Sequence, residues 1–161
     1  MKLRVLWIAP KSRSKEPAYD ALTREYASRI SKYQSIEASD LHNESSLLKL
    51  LEQSAGRTKP LLVLLDNRGK DITSEQFADF IESQHSADVQ QLIFAIGPAD
   101  GFSDAARRAA SRILSFGKMT LPHELARVVL LEQIYRAFTI IRKHPYHCGH
   151  SSISRGLISP K

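Results

Sequence analysis

An α/β fold, with a mainly parallel sheet and helices on both of its faces, is the architecture this 161-residue sequence predicts. Three observations predict it. Short apolar runs alternate with longer amphipathic stretches all along the chain, the pattern of repeated strand-and-helix units. The runs Leu61–Leu65 and Leu92–Ile96 lack polar alternation, as do strands buried on both faces of a parallel sheet. Helix-start signals stand where the alternation needs them, at Thr73 and Pro122.

The first unit joins a strand over Leu3–Ala9 to a helix over Ala18–Tyr33, and the second a strand over Ser35–Leu41 to a helix over Ser45–Ala55. In the third, a strand over Pro60–Asp66 precedes a helix over Ser74–Gln84. Thr73 followed three residues later by Gln76 is the spacing of a capping box. The fourth unit is a strand over Gln90–Ile96 with a short helix near Ser103–Ala110. The last is a strand near Arg112–Phe116 with a long helix over about His123–Arg142, whose first turn suits Pro122 because proline's missing donor costs nothing there. That helix carries Leu125, Val128, Val129, Leu131, Ile134, Tyr135, Phe138 and Ile141. They cover more of its circumference than one core-facing stripe needs. The expectation is therefore that a partner subunit, a second copy in a homodimer, covers the rest.

Composition bounds what such a fold does. The chain is 42% hydrophobic and 25% charged, ordinary for a folded domain, and its length suits a single core. A single cysteine, Cys148, excludes an internal disulfide, and the apolar run Val5–Ala9 is too short for a secretory leader. With no segment near the roughly 20 apolar residues a spanning helix requires, the expectation is a cytoplasmic protein without a membrane partner. The formal net charge of +6 suits a polyanion such as nucleic acid, and equally a mildly basic protein with no such partner.

In open α/β sheets ligands sit beyond the carboxyl ends of the strands, which singles out three places. Asp66-Asn67-Arg68-Gly69-Lys70 reads as a polar strand-to-helix turn with a flexible glycine. Gly97-Pro98-Ala99-Asp100-Gly101 offers glycines that admit a ligand close to the backbone, or a tight structural turn; it matches neither a dinucleotide fingerprint nor a phosphate loop. Phe116-Gly117-Lys118-Met119-Thr120-Leu121-Pro122-His123 is an extended stretch entering a helix N-terminus, where backbone donors are available. Taken without any family, the second place also permits a flavodoxin-like or nucleotide-binding module. No G-x-S-x-G elbow or Ser/His/Asp order points to nucleophilic catalysis. The tail His144-Pro145-Tyr146-His147-Cys148-Gly149-His150 holds metal-ligand types, but no second ligand pair lies upstream at matching spacing. No metal is expected, and imidazoles titrating near neutrality beside a phenol suit RNA contact or proton handling.

Several motifs occur in a fixed order: Leu-Leu-Asp ending at Asp66, Ile-Gly-Pro-Ala-Asp-Gly from Ile96, Met-Thr-Leu-Pro-His-Glu-Leu-Ala-Arg from Met119, Gln-Ile-Tyr-Arg-Ala from Gln133, and His-Pro-Tyr-His from His144. In this the sequence resembles the RlmH family of SPOUT-class methyltransferases, from about Pro60 to His147. The resemblance implies an α/β knot, with the C-terminal segment threaded into a trefoil knot, which periodicity does not show and the general avoidance of knots argues against. It implies S-adenosyl-L-methionine as cofactor, held by Leu65, Gly97, Gly101 and the stretch Phe116, Gly117, Lys118, Met119, Thr120 and Leu121. The implied activity is methylation of N3 of a pseudouridine in 23S rRNA of the assembled ribosome, by a homodimer. His144, Tyr146 and His147 take the catalytic positions on the target side, and Arg136 and Arg142 hold RNA phosphates. The alternative is a non-catalytic RNA- or ribosome-binding protein that keeps the knotted fold.

Two positions depart from the family pattern: Ile96 stands where it has the first of paired glycines, and Cys148 where it has a basic residue. The expected domain spans 1–149. Residues 150–161, with Arg155 and Lys161, extend past the family's usual end and read as a flexible tail.

Overall fold

The computed structural model describes residues 1–9, 16–53, 58–98 and 100–147. Cys148 and the 150–161 extension lie outside the described residues. Five strands, β1 (Lys2–Ile8), β2 (Ile36–Leu41), β3 (Leu61–Asp71), β4 (Gln91–Ile96) and β5 (Arg112–Ser115), form one sheet in the order β2-β1-β4-β3-β5. Every pairing is parallel. The connecting helices are α1 (Pro17–Ser31), α2 (Glu44–Gln53), α3 (Ser74–Ser86), α4 (Asp104–Ala109) and α5 (His123–Ile141), followed by a short 3-10 turn at Pro145–His147.

Alternation along the strands divides the core in two. Leu3, Val5, Val63, Leu92 and Phe94 point to a layer made by α1, α3 and α5, whereas Leu6, Ile8, Leu62, Leu64, Ile93 and Ala95 point to α2 and α4. Both faces are therefore covered, which is why β3 and β4 read as unbroken apolar runs. Thr73 makes both halves of the capping box: its hydroxyl accepts from the Gln76 N–H at 3.2 Å, and its own N–H donates to the Gln76 side chain at 3.0 Å. Pro122 sits one position earlier than the first helical turn, as the N-cap of α5.

One expectation is corrected. Asp66–Lys70 is not a turn, because β3 continues to Asp71. Leu65 and Lys70 both pair with Leu114, so residues 66–69 bulge from the sheet between them. Gly69 permits this. A Cβ there would lie 2.4 Å from the Leu114 carbonyl carbon, so its lack of a side chain serves a close approach of two strands rather than flexibility. Within its own chain α5 packs between α1 and α3 with the 3-10 turn against it, which buries Leu130, Leu131, Ile134, Ala137 and Phe138, while Leu125, Val129, Tyr135 and Ile141 stay partly buried.

Candidate functional site

A parallel sheet brings the carboxyl ends of all its strands to one edge. There the segments after β3, β4 and β5 enclose an open cleft of about 560 Å³. Its lining includes Leu65, Gly97, Gly101, Phe116, Gly117, Met119, Thr120 and Leu121, so these residues from three separate stretches of sequence come together. Lys118 belongs to the same loop but does not line the cleft. The first turns of α5 close one side through Pro122, His123 and Ala126.

The bulge in β3 supplies the cleft's carboxylate. The Asp66 side chain, 1% exposed, accepts from the Arg107 guanidinium at 3.0 Å and from the Arg68 N–H at 3.0 Å, with the Phe102 N–H further off at 3.5 Å. Burial alone would raise its pKa, but these three donors outweigh it and hold the carboxyl below its ordinary range. Asp66 and Arg107 thus form an ionised pair in the cleft wall.

The two loop glycines differ in use. Gly101 adopts φ +78°, a left-handed conformation that glycine takes without strain, and it sits directly over the ion pair. Gly97 instead makes room for the Phe102 ring, which a Cβ would meet at 3.0 Å. Ile96 is 3% exposed and lines the cleft from the sheet side.

After β5, the Ser115 hydroxyl accepts from the Gly117 N–H at 3.1 Å and donates to the Gly117 carbonyl at 2.9 Å, a tight turn with Gly117 at φ +108°. Beyond it Met119 is 86% exposed, and Phe116 is 37% exposed. On the other side of this loop lies a second cavity of about 400 Å³, between Thr73, Ser74, Phe77, Val129 and Gln133, sharing Leu65, Phe116 and Leu121 with the first.

The tail residues lie elsewhere. Tyr146 packs edge-on against Tyr135 with ring centroids 4.7 Å apart, its hydroxyl 3.3 Å from the Glu132 carboxylate. Tyr135 is nine positions beyond Ala126 on α5, which puts Tyr146 about 13 Å along the helix from the cleft. His144 accepts the Tyr146 N–H on Nδ1 at 3.2 Å and is exposed. Burial first, then a hydrogen bond with Tyr26 and the charge of Glu132, push the Tyr146 hydroxyl up to about 12. His147 ends the 3-10 turn. Neither His144 nor Tyr146 lines the cleft of its own chain.

Arg136 is engaged within α5: its guanidinium donates to Glu132 at 2.6 Å and lies 5.1 Å from the Tyr146 ring centroid. Arg142, the C-cap of α5, is exposed. Among the described residues no cluster of three or more His, Cys, Asp or Glu side chains has a metal-binding arrangement, and no helix is long and apolar enough to cross a membrane. Sequence reading passed over Arg107. Nothing in the local pattern of α4 marks it, because its partner is 41 residues away.

A family profile described as "Predicted SPOUT methyltransferase" matches residues 1–147. The chain is 53% identical over 150 residues to the "Ribosomal RNA large subunit methyltransferase H" of Koribacter versatilis (strain Ellin345), covering 93% of this chain and 100% of that protein. The protein of the same name from Geobacter sulfurreducens is 41% identical over 156 residues, covering 91% and 99%. Among solved structures, a probable methyltransferase from Bordetella pertussis Tohama I superposes with a TM-score of 0.53 at 13% identity, over 84% of this chain and 93% of that one. The SpoU methyltransferase AviRb from Streptomyces viridochromogenes superposes with a TM-score of 0.52 at 16% identity, over 88% of this chain and 61% of that one. At these identities the structural likeness concerns the fold alone.

Proposed function

The chain belongs to the SPOUT methyltransferase family, and from that premise we propose that it transfers a methyl group from S-adenosylmethionine to N3 of a pseudouridine in 23S rRNA of the assembled ribosome. The observation that carries the reading is the cleft at the ends of β3, β4 and β5, in a chain matching the full length of a large-subunit rRNA methyltransferase.

The residues present fit such a cofactor. The cleft volume of about 560 Å³ lies within the usual range for small-molecule sites, about 300–1,000 Å³. Leu65, Ile96, Phe116 and Leu121 offer apolar surface, and the irregular backbone from Phe116 to Leu121 offers N–H and C=O groups outside any helix or strand. When bound, S-adenosylmethionine supplies a methyl group already activated on sulfonium sulfur. The chain's part is to orient it in line with the target nitrogen and to take up the proton that nitrogen loses. Tyr146, protonated well above neutrality, serves as a hydrogen-bond donor in this reading, and the proton acceptor is sought at His144 or His147.

We place that target chemistry in a homodimer. The His144–His147 segment lies away from its own cleft, while the cleft stays open beside the exposed Met119. A second copy would bring its tail to this opening, and Arg142 to RNA phosphates; Arg136 would then hold Tyr146 as well as contact RNA. The reading carries the family's trefoil knot, a single domain over 1–149, and a cytoplasmic setting shared with the ribosome. Mass spectrometry of ribosomal RNA from cells with and without the protein tests it. Loss of one methylated pseudouridine from 23S rRNA is the expected result, and an unchanged modification pattern refutes the proposal.

A further inference from the structure

We propose that the Asp66–Arg107 ion pair is the positioning device of the cleft: it fastens the glycine-bearing loop after β4 to the bulge of β3 and thereby sets the affinity for S-adenosylmethionine. This inference rests on the reading of the cleft given above. Asp66 projects from the first residue of the bulge, and its carboxylate gathers donors from three places: the bulge itself through Arg68, the loop after β4 through Phe102, and α4 through Arg107. A Cβ on Gly101 would lie 3.5 Å from both the Arg107 Nη2 and the Asp66 Oδ2, so the left-handed turn of that loop is seated on the pair. On its far side the same loop is tied to α2, where the Ser103 N–H and hydroxyl both donate to Glu44. That tether is nearer the surface, whereas Asp66 is buried, so the ion pair is the stiffer of the two anchors.

Arg107 lines the cleft, and its role in this proposal is to position the loop. Its Nη2 faces Asp66, and its Nη1 faces Asp104 at 3.4 Å, so both terminal nitrogens already have carboxylates. Were the guanidinium removed, Asp66 would remain buried with only backbone donors, and a buried carboxylate short of a counter-charge takes up a proton more readily. The bulge and the loop would then be held by a group whose charge depends on pH.

The test uses the full chain and its variants Arg107→Gln, Arg107→Lys and Asp66→Asn, titrated calorimetrically with S-adenosylmethionine at about pH 8 and about pH 5.5. The expected result is that Arg107→Gln binds about 10- to 100-fold more weakly and loses further affinity on acidification beyond the wild-type change. Arg107→Lys restores most of the affinity. Asp66→Asn is weakened alike at both pH values. A purely structural role would lower the melting temperature without making affinity depend on pH. The inference is overturned if folded Arg107→Gln binds like wild type, or if its loss is the same at both pH values. Should that variant not fold, wild-type affinity in Asp66→Asn overturns it instead. No binding by the wild-type chain sinks the cofactor reading itself, whereas wild-type binding with unaffected variants sinks only the inference.

Discussion

The Arg127 guanidinium lies 4.3 Å from the centroid of the Trp7 ring and donates to the Asp20 carboxylate at 3.0 Å. One side chain of α5 thereby joins the end of β1 to α1, within two turns of the cleft. Its side chain is 5% exposed against 34% for Asp20, and that asymmetry sets the expected cost of breaking the contact. Removing the carboxylate with Asp20→Ala leaves a buried cation uncompensated and should cost about 2–4 kcal/mol. Arg127→Met removes the charge but keeps a flexible side chain over Trp7, and should cost less than about 1.5 kcal/mol. Chemical denaturation of both variants measures the difference; equal losses would contradict this account of the pair.

Gly69 and Gly117 should fail differently when replaced by alanine. At Gly69 the new methyl would overlap the Leu114 backbone, forcing β3 and β5 apart, and a loss of about 3 kcal/mol is expected. At Gly117 nothing lies within 4 Å and only the φ of +108° is strained, so about 1–2 kcal/mol is expected. Thermal melts of the two variants test the order.

The Tyr146 hydroxyl, raised to about 12 in the folded chain, makes alkaline stability depend on this residue. A phenol that holds its proton more tightly when folded contributes stability that is fully present below its unfolded value of about 10 and is lost as pH rises from there through the folded value. The wild type should therefore lose more stability than Tyr146→Phe between about pH 10 and pH 12. Parallel curves would show that the hydroxyl's buried contacts with Tyr26 and Glu132 contribute nothing.

Thr73→Ala removes the hydroxyl half of the capping box and should destabilise the chain by about 1 kcal/mol. The cavity between Thr73 and Gln133 adjoins the cleft without including its ion pair. Cofactor affinity in Thr73→Ala should accordingly stay within about twofold of wild type, which calorimetry checks.

Element order and kind were legible because parallel strands buried on both faces leave unbroken apolar runs, as at Leu61–Leu65, and because Thr73 and Gln76 announce a helix start locally. The segments lining the cleft were legible too, because ligands in open α/β sheets gather beyond the strand ends. What escaped was non-local. Asp66–Lys70 has the composition of a turn, and only the approach of Leu114 to Gly69 turns it into a strand bulge. Arg107 gains its place from Asp66 across 41 residues. Nor did the sequence mark Glu132 as the common neighbour of Tyr146 and Arg136, a contact that arises because residues four apart on a helix face one another and the chain turns back after α5.

The central claim is tested most directly by methyl transfer from labelled S-adenosylmethionine to purified assembled ribosomes by the purified chain, with the modified nucleoside identified by mass spectrometry. The account predicts label in 23S rRNA, on N3 of a single pseudouridine, with none when the chain is omitted. Label on a ribose or on a protein, or no transfer by a folded chain that binds the cofactor, would contradict it.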